Sequence, residues 1–181
     1  MTFHTMQNSA AYNSLPEVFL ADSALLSNDR NNIIEKLFEI IYKHKAEAFV
    51  GLRLLHKHNT IFENELMIED VSFDKEGFAL ITRAQAIVGR SEDIVPNSWI
   101  LSNFTFIPLE YSKRELVHEP TFNPDTQIVF FTELAEKLLE LGVSQLIGPA
   151  LISSDLVEKN KPQGANLMFE MSDHDGRANI L

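Results

Sequence analysis

The side chains best suited to chemistry in this chain gather between Gly51 and Asp70. His56 and His58 are separated by a single residue, and Glu63 follows after four more. On an extended strand, side chains two apart share a face, so the two imidazoles could bind one metal ion and a carboxylate on a returning strand could add a third ligand. Such a centre, holding a divalent transition metal, would act as a Lewis acid or activate water or oxygen. His118, in a loop bounded by Pro120 and Pro124, is the candidate to complete it. The competing reading is a strand end leaving the core, with the imidazoles hydrogen-bonded to neighbours or water and Glu63 and Glu65 compensating them. The residues favour that reading and no cofactor, because a metal centre normally presents a further strong ligand.

Other groups carry less. The carboxylates Glu63, Glu65, Glu69, Asp70, Asp74 and Glu76 could serve as acid–base groups or hard-cation ligands, but their spacing fits no calcium loop and strand alternation divides them between two faces. A solvated sheet face is expected. Arg53 and Arg83, placed on adjacent strands, could clamp an anion; more commonly such residues pair with sheet carboxylates. Asp173-His174-Asp175-Gly176 reads as a turn, and Ser153-Ser154-Asp155 lacks the surroundings of a hydrolase nucleophile. The seven glycines form no phosphate-cradling loop.

The run Gly51…His56-Lys57-His58…Glu63 resembles the first motif of the cupin superfamily, which implies a metal site in a β-barrel. Gly51 stands one residue too close to His56, Asp70 occupies the place of the motif's last Gly, and the second motif has only His118 and Asn123 as stand-ins. A longer span is similar to a group of uncharacterised microbial proteins, many of them fungal: Leu54-Leu55-His56-Lys57-His58, then Pro96…Trp99, then Pro108-Leu109-Glu110-Tyr111. That resemblance implies no activity.

These groups must be positioned by the elements around them. From Asp29 to Lys45, Ile33, Ile34, Leu37, Phe38 and Ile41 recur at helical spacing opposite Glu35, Lys36, Glu39 and Lys43, which predicts an amphipathic helix with cap candidates Ser27, Asn28 and Asp29. Ala46 to His58 alternates as a strand that puts His56 and His58 on the face of Ala48, Val50, Leu52 and Leu54. A return strand from Glu63 to Ser72 and a third from Phe78 to Gln85 make a meander. Trp99 to Leu109 reads as one long strand and Gln127 to Phe131 as a short one. Thr132 caps a helix, Glu133 to Leu141, that stops at Gly142. Leu146 to Ile152 and Leu167 to Met171 read as further strands.

The fold expected is α+β, a mainly antiparallel sheet of five to seven strands covered by two amphipathic helices. Its 181 residues suit one domain, residues 16–172, between a flexible arm at 1–15, docking through Phe3 or Tyr12, and a frayed tail at 173–181. With 45% apolar residues and thirteen Phe, collapse into a globule is expected. No Cys is present, which removes disulfides and thiolate chemistry. The polar start and the lack of a long apolar run predict a soluble cytoplasmic protein. A net charge of −11 argues against nucleic acid and anionic membranes as partners. The expected role is to bind a small apolar ligand or a protein partner, with the metal-dependent enzyme as the alternative.

Overall fold

The amphipathic run after Asp29 builds one wall of the core. The computed structural model describes residues 9–26, 29–74, 77–86, 93–118, 123–154, 171–173 and 178–180. Two short helices, α1 (Ser9–Asn13) and α2 (Val18–Leu26), precede the predicted one, α3 (Arg30–Lys43). Ile33, Leu37, Ile40 and Ile41 of α3 are buried, at the spacing of one helix face. Asp29 takes the N-cap position with φ 57° and makes no side-chain cap.

The second wall differs from expectation. Gln127 to Phe131 is not a strand but the first half of a long helix, α4 (Pro124–Glu140). A short apolar run reads equally as strand or helix, and here the local signals decide. Asn123 accepts the Thr126 N–H, and Pro124 sits where a missing N–H costs nothing. Thr132 lies inside the helix, its hydroxyl donating to the Ile128 carbonyl at 2.8 Å. Gly142 takes the left-handed conformation after the last turn, at φ 68°. Phe130, Phe131, Leu134 and Leu138 of α4 pack with α3 over Val50, Trp99, Leu101, Phe106 and Ile147.

Among the described residues, eight strands form one sheet: β1 (Val50–Leu54), β2 (Glu65–Asp74), β3 (Gly77–Ala86), β4 (Ile94–Ser102), β5 (Thr105–Lys113), β6 (Ile147–Leu151), β7 (Met171–Asp173) and β8 (Ala178–Ile180). Their order is β1-β6-β4-β5-β2-β3-β8-β7. The fold is α+β and the sheet is mainly antiparallel as expected, but it is mixed, because β2 runs parallel to β5, and it has eight strands among the described residues where five to seven were expected. Four helices accompany it among the described residues, where two were expected. The meander is also corrected. β1 does not pair with β2; its ladder is filled by β6 from far along the chain, Val50 facing Leu151 and Leu54 facing Ile147. The single strand expected from Trp99 to Leu109 is a hairpin, turning at Asn103 and Phe104 with φ of 48° and 58°. That pair of left-handed residues matches the right-handed twist of the flanking strands.

The other face of the sheet carries a second core of Leu55, Met67, Ile100 and Leu109. Tyr12 and Leu15, fully covered, close it from the N-terminal side together with Ile61. Asn13 fixes this strap to the loop before β2: its amide donates to the Ile61 carbonyl at 2.9 Å and its carbonyl accepts the Ile61 N–H at 3.0 Å. Phe3 and the run Leu167 to Glu170 lie outside the described residues, as do Ser27 and Asn28.

β6 and β4 meet at a single paired position, Ser98 with Ala150. Beside that joint, a Cβ on Gly148 would stand 2.0 Å from the Trp99 carbonyl oxygen and 3.0 Å from Leu55 Cδ2. Only a residue without a side chain lets the two backbones approach this closely. Gly148→Ala is therefore expected to lower the unfolding free energy by about 1–3 kcal/mol, the range for overpacking, as read from urea denaturation midpoints. An unchanged midpoint would contradict the close approach.

Candidate functional site

The polar site is built by two irregularities in the β4–β5 ladder. Trp99 faces Pro108 while Ser98 faces Glu110, which leaves Leu109 as an extra residue on β5; Pro96 faces Tyr111, which leaves Asn97 extra on β4. A bulge interrupts the alternation, so consecutive side chains can share a face. Leu109 enters the second core, and Glu110 follows it onto that face instead of pointing at α3 and α4. Arg53 reaches the same face from β1, between Leu52 and Leu54, which pack toward the helices.

Here an ionic cluster forms, with buried carboxylates and an Arg53 side chain that stays one-third exposed. Arg53 Nη1 donates to Glu110 Oε2, and Nη2 lies 3.4 Å from Glu69 Oε2. Asn97 Nδ2 and Ser112 Oγ each stand 3.4 Å from Glu69 Oε1. His58 Nε2 is 3.2 Å from Glu110 Oε1. The His58 backbone N–H donates to the Tyr12 hydroxyl at 3.1 Å, tying the strap to the cluster. His56 Nδ1 donates to the Leu54 carbonyl at 3.0 Å, and its ring meets the His58 ring edge to face at 4.6 Å between centroids.

Burial alone would push the Glu110 carboxyl up. The Arg53 charge, the His58 hydrogen bond and the charges of His58 and His56 more than reverse this, holding it at about 2. Burial would likewise lower Arg53, yet Glu110 and Glu69 hold it above its usual range. The cleft beside the cluster, lined by Tyr12, Arg53, His56, Ser98 and Glu110, encloses about 10 Å³, room for one water molecule.

His56 and His58 thus lie together, but on the face opposite to the one alternation predicts. β1 ends at Leu54, the Leu55 N–H is taken by the Leu146 carbonyl at 2.8 Å, and the chain turns as Leu55 enters the second core. Glu63 is exposed in the turn before β2. His118 follows the 3-10 turn Arg114–Leu116, its N–H donating to the Ile152 carbonyl at 3.0 Å. Among the described residues, no three His, Cys, Asp or Glu side chains are placed to hold a metal ion.

Of the carboxylate series, Glu69 is buried rather than solvated, whereas Asp70 pairs with Lys113 at 2.8 Å and Glu65 accepts the Phe62 N–H at 2.9 Å. Arg53 and Arg83 are not neighbours, since four strands separate β1 from β3. Arg53 pairs with sheet carboxylates instead. Asp74, at the end of β2, faces Gly77, and Glu76 lies outside the described residues, as do His174 to Gly176. Glu110, Asn97, Ser98 and Ser112 were not singled out from sequence. The available signal was Glu110 itself, one charge inside the apolar run Phe106-Ile107-Pro108-Leu109-Glu110-Tyr111, where an ion requires a buried partner.

The chain matches no protein-family model, no curated protein and no solved structure. Among the described residues, no helix is long and apolar enough to cross a membrane.

The cluster makes stability depend on pH in a defined direction. Glu110 is held at about 2, below the usual 4.5, so its contribution is complete above 4.5 and is lost as pH falls toward 2. The loss is on the order of 3 kcal/mol. Urea denaturation between pH 6 and pH 2 should show this decline, and Glu110→Gln should flatten it; an equal decline in that variant would assign the effect to other carboxylates.

Proposed function

We propose that this chain is a binding domain whose ligand is another protein, engaged through the outward face of α2. The observation that carries this reading is the composition of α2 against its exposure. Only Asp22 and Ser23 are polar in Val18–Leu26. Ala21 and Leu25 are buried, yet Phe19 is 76% exposed, Leu20 59% and Leu26 58%. A helix apolar all round has the composition of a buried one, and adjacent exposed apolar residues of this size mark interaction surfaces.

Of the two ligand classes that composition suggests, the small apolar molecule has less support. The cleft at Arg53 has room for one water, and the larger groove between α3 and α4 is open and lined mainly by charged side chains, Glu39, Lys43, Glu133, Glu136, Lys137 and Glu140. The ionic cluster is engaged with itself, as a clamp between strands would be. The acidic balance favours a protein over nucleic acid or an anionic membrane as partner. The absence of Cys fits a reducing compartment such as the cytoplasm.

A photo-crosslinking amino acid at position 19 tests this reading directly. Irradiation in cells should give covalent protein adducts, and the same group at the exposed α4 position Glu136 should give none. Position 19 yielding no more than Glu136 would contradict the proposal.

A further inference from the structure

We infer that His58 is a proton-operated latch for the N-terminal strap, Tyr12 to Glu17: with its ring charged the strap is held closed on the sheet, and loss of that proton loosens it. Tyr12, Asn13, Pro16 and Glu17 all bind the loop between β1 and β2. The Tyr12 hydroxyl accepts the His58 N–H at 3.1 Å, Asn13 exchanges two hydrogen bonds with Ile61, and the Pro16 carbonyl accepts the Lys57 N–H at 2.9 Å. Glu17 lies 3.5 Å from Lys57 Nζ. The same loop meets the sheet through an ionisable group, His58 Nε2, 3.2 Å from Glu110 Oε1 on β5. What fixes this ring also fixes the seat of the strap.

Charge balance selects the closed state. The groups around the ring are Glu110 from β5, Arg53 from β1 on the other Glu110 oxygen, Glu69 from β2 beside Arg53, His56 from the same loop and Tyr12 from the strap. One guanidinium against two carboxylates leaves a single negative charge unmatched among buried side chains. A proton on His58 closes that balance and makes its contact with Glu110 a charge-assisted hydrogen bond. Burial of the ring, 8% exposed, and the Arg53 charge oppose the proton. Arg53 is already engaged by two carboxylates, however, whereas Glu110 touches the ring directly. The effect is reciprocal: against burial, Arg53 and then His58 hold the Glu110 carboxyl at about 2, and Glu110 strengthens proton binding at His58 by the free energy of their mutual contact. A histidine favoured in its charged form contributes stability that is complete below its unfolded value and is lost as pH rises through its folded one. Loosening then draws Tyr12 and Leu15 away from the second core of Leu55, Met67, Ile100 and Leu109. The latch works whether or not α2 carries a partner.

NMR titration of the histidine rings in the full chain, with hydrogen exchange of the loop amides, tests the latch. The His58 ring, assigned by its loss in His58→Gln, should titrate about one pH unit above the ordinary value near 6.5. Glu110→Gln should remove that rise, and Asn13→Ala, which weakens the strap away from the cluster, should reduce it, because closure and protonation are linked. Exchange of the Lys57, His58 and Ile61 amides, corrected for its intrinsic pH dependence, should quicken up to about tenfold as pH rises past the His58 midpoint, the factor equivalent to one pH unit. In His58→Gln that step should be missing. The wild-type measurements decide the matter alone if a variant fails to fold. A His58 ring that titrates at or below the ordinary value leaves the balancing proton elsewhere in the cluster, and equal amide protection on both sides of its midpoint uncouples the strap from the ring; either result overturns the inference.

Discussion

The structure depends on a guanidinium that must reach across a sheet. Arg53 lies on β1, and its partners Glu110 and Glu69 lie on β5 and β2, three and four positions along the strand order. In a flat sheet, β1 and β5 would be about 14 Å apart, with side chains standing perpendicular to the surface. Their contact requires the sheet to curl so that β1 leans over β5. The features that allow this lie together: one paired position between β6 and β4, the close approach of Gly148 to the Trp99 carbonyl, and the extra residues Asn97 and Leu109. Bulges bend and twist a strand and redirect the side chain that follows. The bend and the redirected Glu110 therefore both arise in the same irregular stretch of β4 and β5.

Burying this cluster is unfavourable unless every ion is held. Taking two carboxylates and most of a guanidinium from water carries a desolvation penalty that ion pairing alone rarely offsets, so hydrogen bonds from Asn97, Ser112 and His58 are part of the same balance. What the arrangement supplies is specificity. β1, β2, β5 and the strap through Tyr12 can close in only one relation without leaving a buried charge unpaired. Arg53, His58, Glu69 and Glu110 hold one another across the sheet, while exposed apolar side chains gather on α2.

The helical periodicity of Ile33, Leu37 and Ile41 and the Gly142 stop were legible in the sequence, because both are local and their physics is written within a few residues. The α+β class followed from them. The pairing of β1 with β6 was not legible, since nothing near Val50 encodes a partner about a hundred residues away. Neither were the bulges: strict alternation put His56 and His58 on the helix face, and a strand ending at Leu54 reversed that. Spacing along the chain points to Glu63 and a Pro-bounded loop to His118, whereas the carboxylate that meets His58 is Glu110, delivered by a register shift that no spacing rule contains.

The most direct test of this account is a double-mutant cycle on Arg53 and Glu110, measured by chemical denaturation of the wild type, Arg53→Met, Glu110→Leu and the double variant. Arg53→Met strands the buried Glu110 carboxylate and should destabilise by about 3–5 kcal/mol, Glu110→Leu should cost less because the Arg53 side chain is one-third exposed and keeps Glu69, and the double variant should be much less destabilised than the sum of the two. Additive losses would mean that the two side chains do not hold one another, and that the curled sheet closes for some other reason.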